Sequence, residues 1–226
     1  MHDNKNSMSG LLSELEALYN NALLLGYTSI EYEDLLIAKS DSGRWIFTGL
    51  KDNRITYIEI PDFIEEIGAK ALASCHNLKS VQLPQHLKKI NYRAFSQCSN
   101  LKHIDFPEEL EVIGSAAFEA SGLTEIYLPD NIKTVGDYAF IHCFNTRHLS
   151  IPSGISLGYG CFLGVGKFLE ANDIEFIIRP GLHNDIEKTI GPDAIENSKG
   201  AFNGAFFDSY YNWKVKIIEE SYLVIA

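Results

Sequence analysis

The chain has 226 residues, 46% of them hydrophobic and 12% aromatic, and a formal net charge of -11 at pH 7. That apolar content excludes a disordered chain, and the negative total disfavours nonspecific nucleic-acid binding, which needs a basic face to release counterions. The apolar stretches near the N-terminus are broken by Glu14 and Glu16, leaving 22–25 as the longest. A run that short makes neither a membrane span nor the core of a secretory leader. As written the chain is expected in the cytoplasm, or at the cell surface or secreted if a leader has been removed.

Four segments follow one another. In residues 1–26, Leu11, Leu15, Leu18, Ala22 and Leu25 recur at steps of three and four up to Gly26, which predicts an amphipathic helix covering the open end of the next domain. Residues 27–54 contain two apolar runs, at 35–38 and 45–48, around Asp41-Ser42-Gly43-Arg44, a β-hairpin expected to act as a cap. Residues 55–168 repeat. The units starting at Ile55, Leu78 and Leu101 stand 23 residues apart (78 − 55 and 101 − 78), and further units start at Leu123 and Thr146. Residues 169–226 read as a degenerate last coil and C-terminal cap, with a strand at 174–180, an insertion at 183–199, and Phe202, Phe206 and Tyr210 spaced for one helical face.

Each repeat position has a physical reason. Ile58, Val81, Ile104, Ile126 and Leu149 align, and two residues on so do Ile60, Leu83, Phe106, Leu128 and Ile151; that spacing puts both columns on one face of a strand. Pro61, Pro84, Pro107, Pro129 and Pro152 follow at once, and a residue without an N–H ends the ladder there. Gly68, Asn91, Gly114, Gly136 and Gly158 mark the far corner, where left-handed backbone is expected. An alanine or Cys161 then precedes Leu72, Phe95, Phe118, Phe140 or Phe162, which predicts a short helical turn close to the sheet with a spine of stacked rings inside. Cys75, Cys98 and Cys143 share a column with Ser121 and Val165, and Cys161 lies in the alanine column. No C-x-x-C spacing is present, so buried thiols are expected, although Cys75 and Cys98 on adjacent coils are compatible with a disulfide.

A period of this size lies in the roughly 20–29 residue window of leucine-rich repeats. The units at 55–77, 78–100 and 123–145, with L-P, I-G and A-F-x-x-C at fixed offsets, resemble BspA-like leucine-rich repeats, a bacterial type also found in some protozoan parasites. The resemblance implies an α/β solenoid, a right-handed superhelix of short parallel strands, capped at both ends. It also implies adhesion to host matrix proteins or to other cells, since such proteins are often displayed on cell surfaces.

Function in a solenoid comes from what faces outward. Between the core positions, one strand column reads Thr56, Lys79, Lys102, Thr124, Arg147; the next Tyr57, Ser80, His103, Glu125, His148; the third Glu59, Gln82, Asp105, Tyr127, Ser150. Partner contacts are expected from Tyr57, Lys79, Lys102, His103, Glu125, Tyr127, Arg147 and His148, with the basic side chains suiting an anionic patch and the tyrosines suiting hot spots. The set His103, Glu125 and His148 has zinc-binding ligand types, but its histidines sit two coils, roughly 10 Å, apart, and no metal is expected. No Gly-x-Ser-x-Gly, Gly-x-x-x-x-Gly-Lys or His-Glu-x-x-His motif occurs, and Gly158 to Gly160 and Gly164 to Gly166 lack the setting of a dinucleotide loop. The expectation is a protein-binding scaffold without enzymatic activity or cofactor. An intracellular adaptor and a self-associating array that forms homo-oligomers are the alternatives.

Overall fold

The computed structural model describes residues 17–20, 29–32, 34–152, 154–165, 175–178 and 217–218. It is a β-solenoid of stacked parallel coils, entered through an antiparallel hairpin. Strands β1 (Ser29–Tyr32), β2 (Leu35–Lys39) and β3 (Trp45–Leu50) run antiparallel. The β2–β3 turn closes through Gly43, whose φ is 80° and whose N–H donates to the Ser40 carbonyl at 2.9 Å. β3 then pairs in parallel with the first coil, Phe47 opposite Ile67, so the hairpin continues the solenoid's own sheet.

Four of the five coils begin with the strand of the two apolar columns: β4 (Tyr57–Glu59), β6 (Ser80–Gln82), β9 (Glu125–Tyr127) and β11 (His148–Ile151). Alternation sends Ile58, Val81, Ile126 and Leu149 inward, where all are buried. The proline ends the strand and its carbonyl starts the next turn, accepting the N–H of the buried apolar residue three positions on: Ile64 from Pro61, Leu87 from Pro84, Leu110 from Pro107, Ile132 from Pro129. A two-residue strand follows: β5 (Glu66–Ile67), β7 (Lys89–Ile90), β8 (Val112–Ile113), β10 (Thr134–Val135) and β12 (Ser156–Leu157). These short strands, with β1 to β3, form one unbroken eight-stranded sheet.

The first strand position is interrupted. β4 pairs only with β6, while β9 and β11 belong to a second sheet with β13 (Glu175–Ile178) and β14 (Ile217–Ile218). Residues 102–106 of the third coil lie between the two and form no strand. That coil carries Phe106 in the column otherwise filled by isoleucine or leucine, and its ring stands edge-on to Phe118 and Phe140 at 5.5 and 6.5 Å. The same coil is one residue shorter than the two before it (123 − 101 = 22).

The third side of the coil corrects two expectations. The corner glycines 68, 114, 136 and 158 are not among the residues with positive φ. They are glycine because the coils approach too closely for a side chain: a Cβ at Gly114 would stand 2.8 Å from the Asn91 backbone, and one at Gly136 2.6 Å from the Ser115 nitrogen. The left-handed residues come two and six positions later, at Lys70 and Ser74, Arg93 and Gln97, Ala116 and Ala120, Tyr138 and His142, Gly160 and Gly164. Two such residues per coil prevent the expected helical turn. Instead the N–H groups alternate: those of Lys70, Leu72 and Ser74 donate to Tyr92, Ala94 and Ser96 of the next coil at 2.8–2.9 Å, and those of Ala71, Ala73 and Cys75 reach back three residues. A non-glycine left-handed residue costs about 1–2 kcal/mol, and each inter-coil bond offsets about 1 kcal/mol of it.

Inside, the spine forms as expected. Phe95, Phe118, Phe140 and Phe162 stack at 5.0, 5.1 and 5.4 Å with planes within 7°, and Leu72 continues the column, fully buried. At the N-terminus residues 17–20 are helical, but here Leu18 is 38% exposed and Tyr19 makes the contact, stacked on Phe63 at 4.3 Å and edge-on to Trp45 at 5.7 Å. The strand expected at 174–180 is β13, in register with β11; the rest of the helix at 1–26, the insertion at 183–199 and the aromatic run at 200–212 lie outside the described residues.

Gly122 shows how little room the stack leaves. Its N–H donates to the Cys98 carbonyl at 3.1 Å, and a Cβ there would fall inside the Ser99 carbonyl oxygen, a backbone atom that cannot swing aside. Gly122→Ala is expected to destabilise the fold by about 2–3 kcal/mol, read as a lowered urea midpoint; an unchanged midpoint would show that adjacent coils can spread.

Candidate functional site: the strand face

The outward positions of the first strand align as their alternation requires. Tyr57 stands opposite Ser80 and Glu59 opposite Gln82; Glu125 stands opposite His148 and Tyr127 opposite Ser150. Tyr57, Glu125, Tyr127 and His148 therefore share the outward side, and Lys79 and Arg147 are exposed just ahead of β6 and β11. The break at 102–106 places Lys102 and His103 on irregular backbone, tied to the fourth coil by the Thr124 N–H and hydroxyl, which donate to the Lys102 carbonyl at 3.0 and 3.1 Å.

Three strips of different chemistry result. Lys79, Lys102 and Arg147 are exposed along one edge. Along the middle, His103 Nδ1 lies 3.9 Å from Glu125 Oε2, and register sets His148 beside the same glutamate. Along the other edge Gln82 Nε2 donates to Glu59 Oε1 at 3.3 Å, and the Tyr57 hydroxyl lies 3.4 Å from Glu59 Oε2 and from Gln82 Oε1. Partial burial and then the Glu59 charge raise the Tyr57 pKa, so its hydroxyl stays protonated and able to donate. Tyr57 and Tyr127 remain 41% and 53% exposed.

Several cations elsewhere are paired within the chain, although among the described residues Lys39, Lys70 and Lys89 enter no ion pair. Arg44 pairs with Glu66 at 3.0 Å, Lys88 with Glu109 at 2.5 Å and Lys133 with Glu111 at 2.7 Å. Lys88 and then His86 hold the Glu109 carboxyl below its usual range, and Lys133 does the same for Glu111. Among the described residues, Lys79, Lys102 and Arg147 enter no ion pair.

His103, Glu125 and His148 are brought to one column, yet no group of three or more His, Cys, Asp or Glu among the described residues is arranged to hold a metal ion. Nor is any helix among them long and apolar enough to cross a membrane. Sequence reasoning missed a second set of exposed aromatics, Tyr92, Tyr138 and Tyr159, at the corner after the two-residue strand. The signal was a tyrosine recurring one or two residues after the corner glycine or asparagine.

The repeat geometry agrees with comparison to known proteins. The family model of the BspA type leucine-rich repeat region matches residues 47–167 in six copies. The chain belongs to the BspA-type leucine-rich repeat family. The match starts at Phe47 in β3, ahead of the five units read from the sequence, consistent with β3 being in register with the first coil. No curated protein matches the chain. Among solved structures it is similar to a leucine-rich repeat protein from Bacteroides ovatus, with 26% identity and a TM-score of 0.54, covering 66% of this chain and 49% of that one. It is also similar in fold to a T. pallidum leucine-rich repeat protein, with 21% identity, a TM-score of 0.56 and coverage of 66% and 70%. A third likeness is to the pneumococcal vaccine antigen PcpA, with 19% identity, a TM-score of 0.51 and coverage of 84% and 48%. The chain thus spans about half the length of the Bacteroides ovatus protein.

The four cysteines play no part in this face. Cys75, Cys98, Cys143 and Cys161 are free and buried; the Cys98 thiol donates to the Leu72 carbonyl at 3.2 Å and the Cys143 thiol to the Phe118 carbonyl at 3.3 Å. Burial pushes Cys98 and Cys143 up to about 12 and raises Cys75 and Cys161 as well. Since the thiolate is the reactive form, an aromatic disulfide reagent at pH 8 is expected to label none of them in the native BspA-type domain and all of them in 6 M guanidinium. Rapid native labelling would place a thiol at the surface.

Proposed function

We propose that this repeat domain is a non-enzymatic protein-binding scaffold that uses its strand face to hold an anionic patch of a protein partner in adhesion at a cell surface. The observation that carries this reading is the alignment of three exposed cations, Lys79, Lys102 and Arg147, in one repeat column without an internal counter-ion among the described residues. An aligned set of unneutralised charges attracts an oppositely charged surface and speeds its encounter. Tyr57 and Tyr127 provide amphipathic contact area beside it, and His103, Glu125 and His148 set the register between the two edges. Adhesion is what the family resemblance adds.

A scaffold of this kind works by preorganisation. The coil stack has already fixed the backbone of the face, so less ordering opposes association than a flexible loop would meet. The variant Lys79→Glu/Lys102→Glu/Arg147→Glu, shown folded by circular dichroism, is the direct test, with immobilised wild type and variant offered purified host-matrix proteins and, separately, cytosolic lysate. The wild type is expected to retain a matrix protein at least about tenfold better than the variant, with the difference shrinking at about 0.5 M salt. Equal retention would remove the strand face from the function, and a charge-dependent partner from the lysate alone would make the chain an intracellular adaptor.

A further inference from the structure

The corner that follows the two-residue strand carries a second surface, of opposite character. Tyr159 is 65% exposed, the most of any large apolar side chain among the described residues, and Tyr138 on the preceding coil is 39% exposed. Their ring centroids lie 5.6 Å apart with planes at 86°, so the two rings form the walls of an open right-angled corner. The backbone holds it in shape. Gly160 has a φ of +58°, and a Cβ there would meet Cε1 and Cδ1 of Tyr138 at 2.8 and 2.9 Å; the Tyr138 ring therefore lies directly on the Gly160 backbone. The Tyr159 N–H donates to Asp137 Oδ1 at 2.8 Å, which pins an exposed carboxylate beside the rings.

The second coil shows what this corner accepts. Tyr92 holds the repeat position of Tyr159, and the next residue, Arg93, places its guanidinium 5.3 Å from the Tyr92 ring centroid. In the fifth coil Gly160 stands where that arginine would be, so the chain supplies no cation of its own to the Tyr159 ring from this position. One coil earlier the contrast continues: Ala69 precedes Tyr92, but Asp137 precedes Tyr159. The Tyr159 corner thus lacks the internal cation and has a fixed negative charge beside it, supplied by the fourth coil.

We propose that the Tyr138–Tyr159–Asp137 corner is a docking site for a cationic side chain, arginine foremost, on a basic segment of a partner protein. The guanidinium plane stacks on a tyrosine face, where the ring quadrupole attracts it, and its N–H groups reach the second oxygen of Asp137. The net charge of -11 draws a basic segment toward the chain as a whole. This corner lies on a different side of the coil from the basic strip of Lys79, Lys102 and Arg147, and it does not depend on that strip having a partner. A sugar ring would also stack on tyrosine and donate its hydroxyls to the carboxylate, but, being neutral, it would not be drawn by the chain's net charge.

The test is a titration of the full chain, with ¹³C-labelled tyrosine rings observed by NMR, using the peptide acetyl-Gly-Arg-Gly-Arg-Gly-amide and, in parallel, maltotriose. The ring signals of Tyr159 and Tyr138 are expected to move saturably with the peptide, while those of Tyr57 and Tyr127 stay still. Tyr159→Ser and Asp137→Asn are each expected to weaken the peptide by about three- to fivefold; the latter keeps the acceptor for the Tyr159 N–H, and matching circular dichroism shows that both variants fold. Shifts spread over every tyrosine, or unchanged affinity in both variants, would overturn the assignment. A response to maltotriose without one to the peptide would overturn it in favour of a carbohydrate.

Discussion

Everything in this molecule depends on adjacent coils coming within backbone hydrogen-bonding distance on two sides at once. On one side the two-residue strands continue β3 in an unbroken parallel sheet; on the other, alternate N–H groups of the turn run reach the next coil. The close approach dictates glycine at 114, 122 and 136, where a methyl group would meet backbone. It also sustains left-handed backbone at eight non-glycine residues, from Lys70 to His142, since each gives up local comfort for a bond across the stack. The stacked phenylalanines then fill what the backbone encloses.

The strand face is carried by this frame rather than being part of it. Its ladder is split at residues 102–106, yet the columns on either side keep their register, because the other two sides hold the coils in place. Freed from supporting the stack, the outward positions of the face carry uncommitted lysines and arginine, while Arg44, Lys88 and Lys133 beside the eight-stranded sheet are paired internally. The tyrosine corner follows the same logic: a position that is self-satisfied in the second coil by Arg93 is left open in the fifth by Gly160.

Much of this was legible from residue types alone. Ile58 and Ile60 with their counterparts, followed by proline, announce a strand and its end, and parity then assigns Tyr57 and Tyr127 to the outside before any coordinate is known. The corner glycines were readable as special, but their reason was not: glycine serves either for positive φ or for close approach, and only the distance to Asn91 or Ser115 separates the two. The left-handed residues were invisible because Lys70, Gln97 and His142 are ordinary types whose conformation is imposed by bonds to a coil 21 or 22 residues away. Leu18 and Tyr19 make the same point, since the leucine spacing predicts one buried side and the aromatic pocket of Trp45 and Phe63 selects another.

If the corner sheet and the turn run are what hold the coils together, amide protection should follow them and not the strand face. Hydrogen–deuterium exchange read by NMR at single residues measures this directly. Phe95, Phe118 and Phe140 amides, bonded across coils at 2.7 Å, are expected to exchange only by global unfolding, whereas those of His103 and Asp105, without a backbone acceptor among the described residues, should exchange faster by about a hundredfold or more. Protection at His103 and Asp105 equal to that of the phenylalanines would mean that the strand face is a continuous ladder and shares in holding the stack, contrary to this account.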